Sequence, residues 1–214
     1  MLAPAKNIPC PDCYHMVDFN LKVPSMVVCH SCSVVISRQD AGLEVKPKIK
    51  IVPEDMTILK IGTLGFFNKQ KFELVGRIRY TSAMKYVNFW TVSFEDKSYG
   101  LLTESYGTYG IYLPDNSSSK IYNSALKKEQ VLTDGNHRKY CLDEVLTIIS
   151  VSGEGEFPEA WLGTQLPEII EYSNNAMEVY LFLKKGESLQ QYSGIVSSFE
   201  KLSLKQTRNH HGWI

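Results

Sequence analysis

The amino-acid sequence predicts a mainly β protein in two parts: a small N-terminal ribbon, then an antiparallel β-barrel or meander with few short helices. Three observations predict it. Two CxxC pairs lie within the first 32 residues, segments from Ile61 onward alternate apolar and polar residues, and the connections between those segments are short and rich in turn residues. Apolar residues make up 43% of the 214, enough for a sizeable core, and 23 basic residues balance 23 acidic ones. With no net charge, no bulk field draws the chain to nucleic acid or to an anionic membrane.

The ribbon follows from "CPDCYHMVDFNLKVPSMVVCHSC", Cys10 to Cys32. In each knuckle a tight turn aims two thiolates at one point, and a hairpin between knuckles some fifteen residues apart completes a tetrahedral four-sulfur site. Cys10, Cys13, Cys29 and Cys32 are therefore the expected ligands of one structural Zn2+. Iron is the chemical alternative at such a site, and two disulfides are the non-metal alternative, disfavoured in a reducing compartment. Four thiolates leave no open position for water, so the site is read as structural. His15 and His30 flank the cysteines without being needed as ligands. Up to Glu44 the ribbon carries Lys6, Lys22 and Arg38 against Asp12, Asp18, Asp40 and Glu44. That balance favours a protein-docking or stabilising role over a phosphate grip.

The expected organisation is a zinc ribbon over 1–44, a linker over 45–55, an antiparallel β domain over 56–207, and a flexible tail over 208–214. The β domain divides into halves at about 56–115 and 128–207. "EVKPKIKIVPED", with three lysines and two prolines, reads as an extended connector crossed by few contacts, so the β domain is expected to fold without the ribbon. In "FELVGRIRY" alternation puts Phe72, Leu74, Ile78 and Tyr80 on one face and Glu73, Arg77 and Arg79 on the other. "VNFWTVSFE" groups Trp90, Val92 and Phe94, while "SYGLLTES" and "TYGIYL" add two strands around Tyr106-Gly107. "DNSSSKIYNSALKKEQ" reads as a polar loop with one short helix. Asp134-Gly135 and Lys185-Gly186 mark hairpin turns, and Val179 to Leu183 reads as a strand buried on both faces. Ile195, Phe199 and Leu202 are spaced for a short amphipathic helix.

Four stretches carry a family resemblance: "IGTLGFFNKQKFELVGRIRY", "FWTVSFEDKSYGLLTESYGTYGIYL", "VSGEGEFPEAW" and "QQYSG". Their order from about Ile61 to Gly194 resembles the bacterial family named domain of unknown function 4178. A four-cysteine ribbon ahead of such a domain is a familiar arrangement there. The chain departs from the family after "GEFP", where Glu159 and Ala160 intervene before Trp161. The resemblance implies a β-rich fold, bacterial or phage ancestry and no established enzymatic activity. Family neighbourhoods imply an adaptor in envelope-stress or conflict systems.

No GxSxG, HExxH, Walker A or GxGxxG occurs, and no catalytic residue is assigned. His137 and Cys141 would stand roughly 13 Å apart on a strand, too far for proton transfer, so Cys141 is read as a small buried residue. Glu154 and Glu156 are read as solvated loop acids. Tyr99, Tyr106, Tyr109, Tyr112 and Trp161 are the expected partner-binding surface, because aromatic side chains give large contact area with few rotamers to freeze. The function expected is thus a non-enzymatic zinc-binding adaptor with a protein partner. A nucleic-acid-binding accessory is the alternative and an uncharacterised enzyme ranks third. The N-terminal "MLAPAKNIPC" lacks the basic start and apolar run of a signal peptide and no apolar run is long enough to span a bilayer, so a cytoplasmic location without membrane insertion is expected.

Overall fold

A computed structural model of the chain describes residues 5–39, 42–105, 108–115, 121, 124–125, 127–162 and 165–209. The fold is mainly β, as the alternation predicts, and its centre is an eight-stranded antiparallel barrel. Its staves are β7 (Gln70–Ser82), β8 (Tyr86–Phe94), β9 (Tyr99–Ser105), β10 (Thr108–Pro114), β12 (Lys139–Pro158), β13 (Glu168–Ser173), β14 (Glu178–Lys185) and β15 (Ser188–Ser198). Strand β10 pairs with β15, and β12 pairs with both β13 and β7, which closes the ring and leaves it no free edge. Short strands β6 (Leu64–Phe67) and β11 (Val131–Thr133) flank β7 and β12.

The interior is packed with side chains. Ile78, Tyr80, Phe89, Leu101, Tyr112, Ile148, Phe157, Trp161, Leu181 and Tyr192 form one buried cluster. Two further clusters lie on the outer wall. One gathers Phe72, Leu74, Trp90, Val92, Phe94, Leu102, Tyr109 and Ile111 under Leu59, Leu202 and Leu204. The other gathers Tyr140, Ile170, Tyr172, Tyr180 and Phe182 under Ile121 and Ala125. Strand β14 is buried on both faces, as its sequence predicts, because interior and outer clusters both use it.

One face assignment is corrected. A bulge between Leu74 and Gly76 shifts the register of β7 against β8, so Phe72 and Leu74 face outward while Ile78 and Tyr80 face inward. Gly76 marks that bulge: a Cβ there would stand 2.0 Å from the backbone oxygen of Glu156. Beyond it, Arg77 and Arg79 lie on the outer wall at 2% and 6% exposure. Asp55 pairs with both, accepts from Asn88 Nδ2 at 3.1 Å and lies 3.6 Å from Arg208 Nη1.

That network also corrects the linker and the tail. Residues 50–60 are docked: the Gly153 N–H donates to the Lys50 carbonyl at 2.9 Å, and Val52 and Leu59 are buried. Arg208 is tied down through its N–H to the Ile58 carbonyl at 2.7 Å, and residues 210–214 lie outside the described set. The amphipathic helix expected around Ile195 is strand instead: β15 continues to Ser198 because β10 pairs with it through Thr108. Of the stretch 115–130, where one short helix is expected, Ile121, Ser124 and Ala125 are helical, and residues 116–120, 122, 123 and 126 lie outside the described set. Among the described residues no helix is long and apolar enough to cross a membrane.

Candidate metal centre

Each cysteine pair sits at the apex of a hairpin. β1 (Ala5–Pro9) leads into Cys10 and returns as β2 (Met16–Phe19); β3 (Ser25–Val28) leads into Cys29 and returns as β4 (Val35–Gln39). The two knuckles repeat one local geometry. The Cys10 N–H donates to the His15 carbonyl at 2.8 Å and the Tyr14 N–H to the Cys10 carbonyl at 2.9 Å. In the second knuckle the Cys29 N–H donates to the Val34 carbonyl at 2.9 Å and the Ser33 N–H to the Cys29 carbonyl at 2.8 Å. Tyr14 and Ser33, each following the second cysteine of its pair, share a left-handed backbone at φ 62° and 63°. A CxxC turn that reverses the chain within five residues requires this conformation once per knuckle.

The four sulfurs converge. Cys10 Sγ lies 3.7 Å from Cys32 Sγ and Cys13 Sγ lies 3.6 Å from Cys29 Sγ, with all four within 4.8 Å of one another. A tetrahedron of sulfurs about 2.3 Å from a central ion has edges of about 3.8 Å, so the cluster fits a single tetrahedral metal. All four are free thiols, Cys10 and Cys29 being buried. The thiols titrate as a set. The His15 N–H bonded to its sulfur draws Cys13 down to about 7. At Cys32 the Val34 N–H favours the thiolate, but burial and the three neighbouring sulfurs outweigh it and push the group up to about 12. Burial raises Cys29 as well. Four thiolates so close repel one another, and a divalent cation is what makes full deprotonation favourable.

His15 and His30 are exposed and meet edge to face, ring centroids 3.9 Å apart, outside the four-sulfur cluster. Behind the sulfurs lies a small core of Val17, Phe19, Val27, Val34 and Ile36.

The ribbon is not insulated from the barrel, contrary to the expectation of few crossing contacts. Strand β3 pairs with the end of β12, Val28 opposite Gly155 and Ser25 opposite Pro158, so barrel and second knuckle share one sheet. Strands β3 and β4 are buried on both faces: Val27 and Ile36 face the cysteines, while Met26, Val28 and Val35 join the barrel interior beside Phe157 and Trp161. Sequence reasoning missed the residue that ties the two parts. Glu156, 1% exposed, accepts the backbone N–H of Asn20 at 2.5 Å and of Leu21 at 3.2 Å, and the Ser25 hydroxyl at 2.7 Å. Arg38 lies close enough for its charge to be felt. Its partner acid Glu154 lies on the same strand and pairs with Arg77 at 2.6 Å. Neither is a solvated loop acid.

The expected aromatic surface is also corrected. Tyr109, Tyr112 and Trp161 are buried at 6%, 1% and 1% exposure, and Tyr99 is half-buried against the interior cluster. Tyr106 lies outside the described residues. The alternation itself holds, with Tyr109 beside Ile111 on the outer wall and Tyr112 inside, but a closed barrel covered on its outer wall buries both faces. Cys141 is exposed, not buried. In a groove lined by Tyr140 and Glu178, Arg138 pairs with Asp134 and Glu178, and the Tyr140 hydroxyl donates to Glu178 at 3.0 Å.

No family model, no curated protein and no solved structure matches the chain.

Proposed function

We propose that the chain is a non-enzymatic module in which one structural zinc ion organises a ribbon fused to a β-barrel, and that the ribbon end serves protein interaction. The observation that carries the metal half is the closed cluster of Cys10, Cys13, Cys29 and Cys32, with no position left for substrate or water. Zinc is preferred on the spacing of the two knuckles, which lies within the range of structural zinc sites; the tetrahedral thiolate shell by itself would also suit iron.

The interaction half draws support from the ribbon surface. Tyr14 and Met16, on and beside the first knuckle, are 78% and 54% exposed. Strand β5 (Gly42–Lys46) ends the large sheet, pairs only with β4 among the described strands, and exposes Leu43 and Val45. An open edge of this kind fits an added strand from a partner. The arginines weigh against the nucleic-acid alternative. Arg38, Arg77 and Arg79 are buried, and Arg138 and Arg208 are paired with carboxylates. The resemblance to the domain of unknown function 4178 family extends the proposal to a bacterial adaptor.

The test is capture of binding proteins by the full zinc-loaded chain, by Cys29→Ala and by Val45→Pro. The proposal expects a specific partner held by the wild-type chain and lost in Cys29→Ala, with Val45→Pro losing it while keeping its zinc. Tight oligonucleotide binding with a steep salt dependence, abolished by Cys29→Ala, would overturn it in favour of nucleic-acid recognition.

A further inference from the structure

The single turn of 3-10 helix Glu159–Trp161 stands between the cysteine knuckles and the barrel interior, gripped from both sides. On the ribbon side, the Glu159 N–H donates to the Pro24 carbonyl at 3.1 Å. Its carboxylate Oε1 accepts Gln39 Nε2 at 2.6 Å and the Ser37 hydroxyl at 3.3 Å. On the barrel side, Trp161 Nε1 donates to the Tyr192 hydroxyl and the Tyr80 hydroxyl donates to the Trp161 carbonyl, both at 2.6 Å. Lys185 Nζ and Gln190 Nε2 both donate to the Ala160 carbonyl, at 2.8 and 2.9 Å. The indole packs edge-on against Phe89 and Tyr192 in the interior cluster.

All three ribbon-side contacts come from one hairpin. Pro24 precedes β3, Ser37 and Gln39 lie on β4, and the apex joining β3 to β4 is the knuckle Cys29–Cys32. The same hairpin supplies Met26, Val28 and Val35 to the packing around Trp161. Strand β3 stays paired with β12 whether or not the ion is bound, but the apex that joins β3 to β4 is a short hairpin turn, and where a metal closes such a turn its binding free energy holds the two strands in place. The wall that holds Glu159 therefore depends on the ion at its apex.

We infer that metal loading of the four cysteines controls the seating of Trp161 in the barrel. With the ion bound, the β3–β4 hairpin holds Glu159 and keeps the indole seated over the interior. With the ion removed, the 159–162 turn loosens while the barrel strands remote from the ribbon keep their pairing. This rests on the metal reading above. It adds that the ion is read out some distance away, through Glu159, at an interior aromatic.

Hydrogen exchange followed by mass spectrometry tests it on the full chain, loaded and then stripped by chelator, with metal content measured on the same samples. The expected result is that exchange across 157–162 accelerates about tenfold or more on stripping, while the β14–β15 hairpin changes by less than about twofold. Metal lost with no change at 157–162 overturns the coupling and leaves the metal reading standing. Equal acceleration in β14–β15 overturns it as well, because the ion would then support the whole barrel and not this turn. A chain that takes up no metal overturns both. Glu159→Ala, which leaves all four cysteines in place, is expected to raise exchange at 157–162 about tenfold in the loaded protein at unchanged metal content. No change in that variant overturns Glu159 as the tether.

Discussion

Glu156 on β12 and Leu21 of the ribbon are 135 residues apart in sequence and joined by a hydrogen bond of 3.2 Å, from the Leu21 N–H to a carboxylate 1% exposed. The same carboxylate takes the Asn20 N–H and the Ser25 hydroxyl, so these three donors all come from the ribbon. A buried carboxylate without such donors is costly, and so are buried donors without their acceptor. Glu156→Ala is therefore expected to destabilise the protein by about 3–4 kcal/mol and Glu156→Gln by about 1–2 kcal/mol, because glutamine keeps one acceptor oxygen. Denaturant unfolding of both variants checks the order; equal, small losses would mean that the seam is held by packing alone.

Removing the ribbon exposes Phe157, Trp161 and the Glu156 carboxylate together. A chain beginning at Val52 is expected to lose cooperative unfolding and to bind a hydrophobic dye, with the full metal-loaded chain as reference. Cooperative unfolding with native-like near-ultraviolet dichroism would contradict the shared core.

Gly76 allows β7 to pass the end of β12 at backbone contact. The Cβ of an alanine there would meet Glu156 backbone atoms at 2.0–2.6 Å, which no side-chain rotation relieves. Gly76→Ala is expected to cost about 2–4 kcal/mol, with the loss measured by thermal unfolding. Gly135, where an added Cβ meets nothing within 4 Å, is the control, and Gly135→Ala is expected to be far milder.

Glu171 on β13 sits between Ile170 and Tyr172, and burial, reinforced by Asp143 and Glu144, raises its carboxyl to about 7 from 4.5. The folded state thus holds this proton more tightly than the unfolded chain. The resulting contribution is present below pH 4.5 and is lost as the pH rises to about 7. Glu171→Gln is expected to be near neutral at pH 4.5 and to stabilise by about 1–3 kcal/mol at pH 8. Urea unfolding at the two pH values measures it; a variant less stable than wild type at pH 8 would contradict the assignment.

Some of this was legible in the sequence. The cysteine spacing was enough because ligand geometry is local: each knuckle needs only a tight turn, and the pairs meet as expected. Strand alternation in β8 and β14 was equally readable. What failed was non-local. Alternation cannot reveal that Val75 begins a bulge, so Phe72 and Leu74 fall on one expected face with Ile78 and Tyr80, and it cannot show that the docked segment bearing Asp55 covers Arg77 and Arg79. Tyrosine enrichment was read as an exposed surface, whereas closure of the barrel and the cover on its outer wall bury Tyr109 and Tyr112. The one local hint of Glu156 was "GEGEFP", in which Gly155 takes a positive φ of 67° and packs against Gly76 while the next residue turns its carboxylate to the ribbon.

The measurement that tests the account most directly is metal analysis of the purified full chain combined with X-ray absorption at the edge of the metal found. The account predicts one zinc per chain with four sulfur neighbours at about 2.3 Å and no nitrogen in the shell. A chain without metal, disulfides among Cys10, Cys13, Cys29 and Cys32, or a shell that includes His15 or His30 would contradict it.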